Sequence, residues 1–274
     1  MKKRPDERRP ERRPERRPPA PRQIHERDER RPPQNVIYGL LPVLEALRAE
    51  HRRIDRVLIA EGSRENRLSE IVDLCRSRGI RWDHVPRDSF AKYVDQGANT
   101  QGVIAFTASA DYVDVDTILD TAAHPALIVV LDGVEDPRNF GAILRSAECA
   151  GVDGVIIPER RSVGLNDTVA KSSAGAIEYV RVAKVGNLNR LIEDLKQRNI
   201  WVVGTSVETD TSYTEWDWTR PTALILGGEG SGLHRLVAEN CDMLVRIPMY
   251  GKINSLNVSV AAGVLLFEAR RQRG

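Results

Sequence analysis

Apolar residues fall into two recurring patterns along this chain, short unbroken runs and helical stripes, and the two alternate from about residue 36 to the C-terminus. Unbroken apolar runs are expected of strands covered on both faces, whereas a strand with one wet face alternates apolar and polar positions. In the first series, Leu40 to Leu47 carries a helical stripe and Arg56-Val57-Leu58-Ile59-Ala60 reads as a buried strand. A helix over about 66–78 follows, with Ile71, Val72, Leu74 and Cys75 on its inner face and Gly79 as its stop. Ile80–Val85 and Gly102–Phe106 read as further strands, with a short helix around 89–94 between them. This alternation predicts a small α/β domain over 35–107, then a connector over 108–124 containing a helical turn.

A second series begins at Ala126. Strands are predicted at Leu127–Leu131, Gly154–Ile157, Ile200–Val203, Ala223–Leu226 and Met243–Ile247, with helices at about 140–150, 188–198, 233–239 and 256–271. The fold class is α/β, and residues 125–274 should form a mostly parallel sheet covered by helices on both sides. In such sheets ligands bind where loops leave the carboxyl ends of the strands, which directs attention to the loops after Leu131, Leu226 and Ile247.

Residues 1–34 break both patterns. They repeat a unit, Glu7-Arg8-Arg9-Pro10, Glu11-Arg12-Arg13-Pro14, Glu15-Arg16-Arg17-Pro18, and hold eight of the chain's 15 prolines. Proline removes a backbone donor and disfavours helix at the preceding residue, and almost nothing apolar is present to offset the entropy of ordering. A disordered tail is expected. Its first 33 residues carry 13 basic and 7 acidic side chains, net +6, so the remaining 28 basic and 32 acidic residues leave the body at −4. Arginine-rich segments attract polyanions through counterion release, and a solubilising tail is the equal alternative.

Composition narrows the class further. A hydrophobic fraction of 41% with 29% charged residues suits a soluble globular protein, and no apolar run reaches the ~20 residues of a membrane span. No secretory signal is visible, so a cytoplasmic protein is expected. Cys75, Cys149 and Cys241 are far apart, without C-x-x-C spacing, and read as small packing residues rather than zinc ligands or a disulfide framework.

Three segments carry candidate chemistry. In Leu131-Asp132-Gly133-Val134-Glu135-Asp136-Pro137-Arg138-Asn139-Phe140-Gly141-Ala142-Ile143-Leu144-Arg145, a strand ends in a polar loop and Asn139 sits where a helix N-cap is expected. Free N–H groups at such a helix start suit a phosphate or ribose. By itself the segment reads as a capped helix with Arg145 a solvated charge. In Leu224-Ile225-Leu226-Gly227-Gly228-Glu229-Gly230-Ser231-Gly232-Leu233, four glycines in six residues permit close backbone approach to a ligand. The turn fits neither the dinucleotide G-x-G-x-x-G pattern nor a P-loop nor a nucleophile elbow. Glu229 would repel a pyrophosphate but can accept hydrogen bonds from a neutral or cationic ligand. His234 beside this turn reads as a surface helix position. In the third segment, Arg246 to Gly263, Ser255 and Asn257 precede a helix whose small residues Val260, Ala261, Ala262 and Gly263 allow another backbone to pack close.

Taken together, Asn139-Phe-Gly-Ala-Ile-Leu-Arg145, Leu226-Gly-Gly-Glu-Gly-Ser-Gly232 and Ile247-Pro…Ser255-Leu-Asn257-Val-Ser-Val-Ala261 resemble, in order and spacing, the three motifs of the SpoU branch of the SPOUT RNA 2′-O-ribose methyltransferases, above all those acting on guanosine in bacterial 23S rRNA. The resemblance covers about residues 36–271 and includes Gln101-Gly102-Val103, similar to the end of that family's L30e-like substrate-binding domain. It implies a trefoil knot in the C-terminal domain, a homodimer whose subunits complete each site, and methyl transfer from S-adenosyl-L-methionine to a ribose 2′-hydroxyl without a metal. Residue by residue, it implies cofactor contacts at Gly227, Ile247 and Leu256, and catalytic or substrate roles for Asn139, Arg145, Glu229, Ser255 and Asn257. Arg145 is implied as a base, while a phosphate or alkoxide clamp is an equally physical role for a guanidinium, which normally stays protonated. A non-catalytic RNA-binding protein retaining the knot for dimerisation, or an enzyme acting on tRNA or another rRNA nucleotide, are the alternatives.

If the tail engages RNA, deleting residues 1–34 leaves cofactor binding intact but lowers RNA affinity and flattens its dependence on salt. Filter-binding titrations at several salt concentrations measure this, and an unchanged slope assigns the tail to solubility instead.

Overall fold

The computed structural model describes residues 35–49, 51–62, 66–95 and 97–274. The expectation for the arginine/proline tail lies outside the described residues. Residues 35–107 build a four-stranded sheet from β1 (Asn35–Tyr38), β2 (Ile54–Ala60), β3 (Arg81–Val85) and β4 (Val103–Thr107), in the order β1-β4-β2-β3. Strand β4 runs antiparallel to both β1 and β2, while β2 and β3 are parallel. Helices α1 (Leu40–Ala49) and α2 (Asn66–Ser77) pack together, α1 burying Leu40, Val43, Leu44 and Leu47 and α2 burying Ile71 and Cys75. Gln101, in left-handed backbone, turns its side chain back to accept a hydrogen bond at 2.9 Å from the N–H of Leu40. The Gln101-Gly102-Val103 segment thus ties the start of α1 to the start of β4.

A short helix α3 (Val115–Thr121) leads into the second sheet. Its elements are β5 (Leu127–Asp132), α4 (Pro137–Cys149), β6 (Gly154–Pro158), α5 (Asp167–Ser172), β7 (Val182–Val185), α6 (Leu188–Gln197), β8 (Trp201–Thr205), β9 (Thr222–Gly227), α7 (Arg235–Asn240), β10 (Met243–Val245) and α8 (Val258–Arg273). The strand order is β10-β8-β9-β5-β6-β7, and every pairing is parallel. All six residues of β5 and of β9 are buried, which is why their sequences show no alternation. Leu127, Val129 and Leu131 of β5 face α4 and α8, whereas Ile128 and Val130 face the layer holding α3, α6 and α7. Because the strands are parallel, the loops after β5, β6, β8, β9 and β10 all emerge at one end. That end holds the candidate site.

Two sequence expectations need correction. Strands β1 and β7 and helix α5 have no counterpart among the expected elements: β1 and β7 have four residues each and α5 only six, and polar residues such as Asn35, Lys184 and Asp167 interrupt their apolar pattern. Of the three cysteines, Cys75 and Cys241 are packed, and burial pushes their thiols up to about 11 and about 12, but Cys149 lies exposed at the end of α4.

A buried ion pair joins the two sheets. Arg52, before β2, reaches Glu178, before β7, through Nε–Oε2 at 3.0 Å and Nη2–Oε1 at 2.8 Å, with side chains only 6% and 3% exposed. Burial pushes the Glu178 carboxyl up and the Arg52 charge opposes that shift, so the pair fixes orientation more than it adds stability. Glu178→Ala should destabilise the fold by roughly 3–5 kcal/mol, because a buried guanidinium loses its partner, while Arg52→Met with Glu178→Leu should recover most of that loss. Urea unfolding of both variants measures the difference; a double variant no more stable than the single would contradict it.

Candidate active site

The β5–α4 loop starts from buried Asp132 and ends at Asp136, whose side chain accepts from the N–H of Arg138 at 2.8 Å and caps α4. Pro137 takes the first helical position, where its missing N–H costs nothing. Asn139 is therefore not the cap that the sequence suggests. It lies inside the first turn with its side chain directed inward, 8% exposed.

From there Asn139 ties three loops together. Its Nδ2 donates to Glu229 Oε1 at 2.5 Å, and its Oδ1 accepts from Asn257 Nδ2 at 3.0 Å. Asn257 Nδ2 also donates to the same Glu229 oxygen at 2.9 Å. Asn257 itself caps α8, its Oδ1 accepting from the N–H of Ser259 at 2.9 Å. Two amides and a carboxylate thus close a triangle between residues 90, 28 and 118 positions apart in sequence. Hydrogen bonds to a charged acceptor are the stronger kind, so the carboxylate holds both amides in register. The second oxygen of Glu229 has no hydrogen-bond partner among the described residues.

The glycine turn is shaped by crowding. A Cβ on Gly227 would lie 2.2 Å from the carbonyl carbon of Gly232, and one on Gly228 would lie 2.3 Å from the carbonyl oxygen of Gly133. No side chain fits at either position, and the β9–α7 turn is pressed against both itself and the β5–α4 loop.

A cleft of about 1050 Å³ opens beside the triangle. Its lining includes Gly227, Glu229, Ile247, Ser255, Leu256 and Asn257, so six of the eight residues singled out from sequence meet in one cavity. Asn139 stands directly behind, hydrogen-bonded to two of the lining side chains. Arg145 does not join them. It is exposed further along α4, with no hydrogen bond or ion pair to any described residue. One wall has no counterpart among the sequence expectations: Thr205, the last residue of β8, with Ser206 to Glu208 after it. The rule that pointed to the other loops applied equally here, since β8 is parallel to β9 and ends at the same edge.

Backbone edges of the glycine turn, apolar Ile247, Met249 and Leu256, the carboxylates of Glu208 and Glu229, the Arg235–Glu239 ion pair and Arg246 make a mixed surface. Such a surface suits a ligand combining a flat heterocycle with positive charge.

Comparison with known proteins identifies a family. The model of the SpoU rRNA Methylase family matches residues 126–267, and that of RNA 2′-O ribose methyltransferase substrate binding matches residues 36–113. A Bacillus subtilis protein named for the TrmH family of tRNA/rRNA methyltransferases, YacO, is 40% identical over 87% of this chain and 96% of its own length. The 23S rRNA (guanosine-2′-O-)-methyltransferase RlmB of Xylella fastidiosa is 44% identical over 86% of this chain and 96% of its own. Among solved structures, the SpoU methyltransferase AviRb of Streptomyces viridochromogenes in complex with AdoMet aligns with a TM-score of 0.72 at 25% identity, covering 87% of this chain and 90% of that one. An AdoMet-bound rRNA methyltransferase of Sinorhizobium meliloti aligns with a TM-score of 0.71 at 26% identity, covering 87% of each. A family model spanning more than half the chain, and relatives of this identity over nearly their whole length, show that the chain belongs to the SpoU rRNA methylase family, whose members are RNA 2′-O-methyltransferases using S-adenosylmethionine.

Proposed function

We propose that this chain methylates the ribose 2′-hydroxyl of a guanosine in 23S rRNA, within a homodimer, in the cytoplasm. The observation that carries the site assignment is the Asn139–Glu229–Asn257 triangle standing at the wall of a cleft lined by Gly227, Ile247 and Leu256. The guanosine assignment draws on the 44% identity to the Xylella fastidiosa relative named for that reaction. Likeness to solved SpoU methyltransferases supports reading 125–274 as the knotted SPOUT domain, 108–124 as a linker and 35–107 as an L30e-like domain that receives RNA.

The residues present fit the cofactor. Peptide groups at Gly227 and Ile247 and the apolar side chain of Leu256 would hold it, and Glu208 and Glu229 offer negative charge to a cationic ligand. When bound, S-adenosylmethionine supplies a methyl group already activated by its sulfonium. The chain's own work is then largely positioning, because methyl transfer requires the accepting oxygen in line. Ser255 and Asn257 orient the ribose, with Asn257 held by both Asn139 and Glu229. Arg145 holds the neighbouring phosphate and stabilises charge developing on the 2′-oxygen, a role that needs a guanidinium retaining its proton, and the hydroxyl proton is released to solvent water as the methyl group transfers.

Arg145 is exposed and absent from its own cleft lining, which supports completion of each site by a second copy. Exposed Val260 and Phe267 on α8, beside α4, offer the apolar surface for that contact. Mixing Arg145→Ala subunits with Glu229→Ala subunits, each inactive alone, should restore roughly a quarter of wild-type methylation through heterodimers with one intact site. No recovery on mixing would show that Arg145 acts within its own subunit. Arg145→Lys should retain measurable activity if the group is a clamp.

Mass mapping of 2′-O-methyl groups on rRNA and tRNA, from cells lacking the gene and from complemented cells, tests the substrate. Loss and recovery at one 23S rRNA guanosine is expected; loss on tRNA alone would move the assignment, in keeping with the Bacillus subtilis relative's name.

A further inference from the structure

Beside the triangle lies a second chain of polar contacts that the reaction described above does not use. Asp132, the last residue of β5, has a side chain only 5% exposed, and its two oxygens are both taken by His234. Oδ2 accepts from the His234 backbone N–H at 2.7 Å and Oδ1 pairs with the ring Nδ1 at 2.8 Å. On the other side of the ring, Nε2 lies 3.2 Å from Nη1 of Arg161, in the loop after β6. Arg161 is exposed and holds a left-handed backbone, φ 56°, which a side chain of its size adopts only under constraint.

The protons follow from this geometry. A carboxylate facing Nδ1 requires the ring proton there, which leaves the Nε2 lone pair to accept from the guanidinium. His234 is therefore a neutral acceptor for Arg161. By contrast, Arg198, Arg235 and Arg271 of this domain are each held by a carboxylate that cancels their charge, and Arg273 spends its donors on the backbone carbonyls of Trp218, Pro125, Ala126 and Arg220. Arg161 has no carboxylate partner among the described residues, so it is oriented while keeping its full positive charge and most of its donors. The ring also fills the space over Gly133, where a Cβ would meet its Cε1 at 3.6 Å. Asp132 and Asn139 bound the β5–α4 loop, Glu229 and His234 belong to the β9–α7 turn, and Gly228 and the His234 ring both pack on Gly133, so the two polar chains share the same pair of loops. His234 is poorly placed to be a base, because Nε2 is engaged and the residue is not part of the cleft lining.

We propose that Arg161 binds a backbone phosphate of the RNA strand next to the target nucleotide, and that His234, set by buried Asp132, is its positioning residue. This rests on the reading of the chain as an RNA methyltransferase. Steady-state methylation of a 23S rRNA transcript, with RNA binding measured across salt concentrations and S-adenosylmethionine binding measured by calorimetry, tests it. Arg161→Ala and Arg161→Gln should each raise KM for RNA about tenfold with kcat nearly unchanged, and reduce the salt slope of RNA binding by about one. Cofactor affinity should not move. His234→Ala should raise KM about threefold, since the charge remains but is no longer aimed, and the double variant should be no worse than Arg161→Ala alone. His234→Gln, which can return a neutral acceptor to Arg161, should recover most of the loss. An active wild type whose Arg161 variants keep KM and salt slope, or a double variant with additive losses, overturns this proposal alone. A wild type that binds cofactor yet methylates no RNA overturns the underlying reading and this one with it.

Discussion

Three loops that the chain reaches at widely separated points must meet within hydrogen-bonding distance for this site to exist, and the Asn139–Glu229–Asn257 triangle is where they do. Each loop is anchored by something stiffer than itself. Asn139 is carried by the first turn of α4, which Asp136 and Pro137 start; Asn257 is the cap of α8; Glu229 sits in a turn so tight that Gly227 and Gly228 leave no room for a side chain. A carboxylate accepting from two amides is satisfied only when all three are in register. Local capping, sheet topology and backbone crowding therefore act on the same few atoms.

The parallel sheet makes this convergence possible. Strands β5, β6, β8, β9 and β10 all end at one edge, so a short excursion from each suffices to build a cleft, and a second polar chain through Asp132, His234 and Arg161 can stand beside the first. The smaller sheet is held against this one by the Arg52–Glu178 pair and by a shared apolar core. Burial makes such a pair a weak source of stability and a strong constraint on geometry. An RNA-receiving domain must face the cleft in one orientation, and a paired charge at the join serves that end better than further apolar contact would.

Much of this was legible in the sequence because β5 and β9 are buried on both faces and their residues say so, and because parallel strands deliver their loops to one edge. The elements that escaped, β1, β7 and α5, are short and interrupted by polar residues, whereas the equally short β10 is flagged by its unbroken Met243-Leu244-Val245 run. Asn139 was misread as a cap because asparagine favours that position; Asp136 followed by Pro137 was the stronger signal three residues earlier. His234 is exposed, as expected of a surface position, but nothing in its neighbourhood reveals its pairing with a carboxylate 102 positions away. For the same reason the triangle could be suspected only through likeness to a family, because hydrogen bonds across 90 or 118 residues leave no local trace.

A crystal structure of the chain with S-adenosylhomocysteine bound probes the convergence most directly. The adenosyl group should lie against the 227–232 turn, Ile247 and Leu256, with the hydrogen bonds among Asn139, Glu229 and Asn257 intact. A ligand seated elsewhere, or a bound form in which those three side chains have parted, would contradict the account.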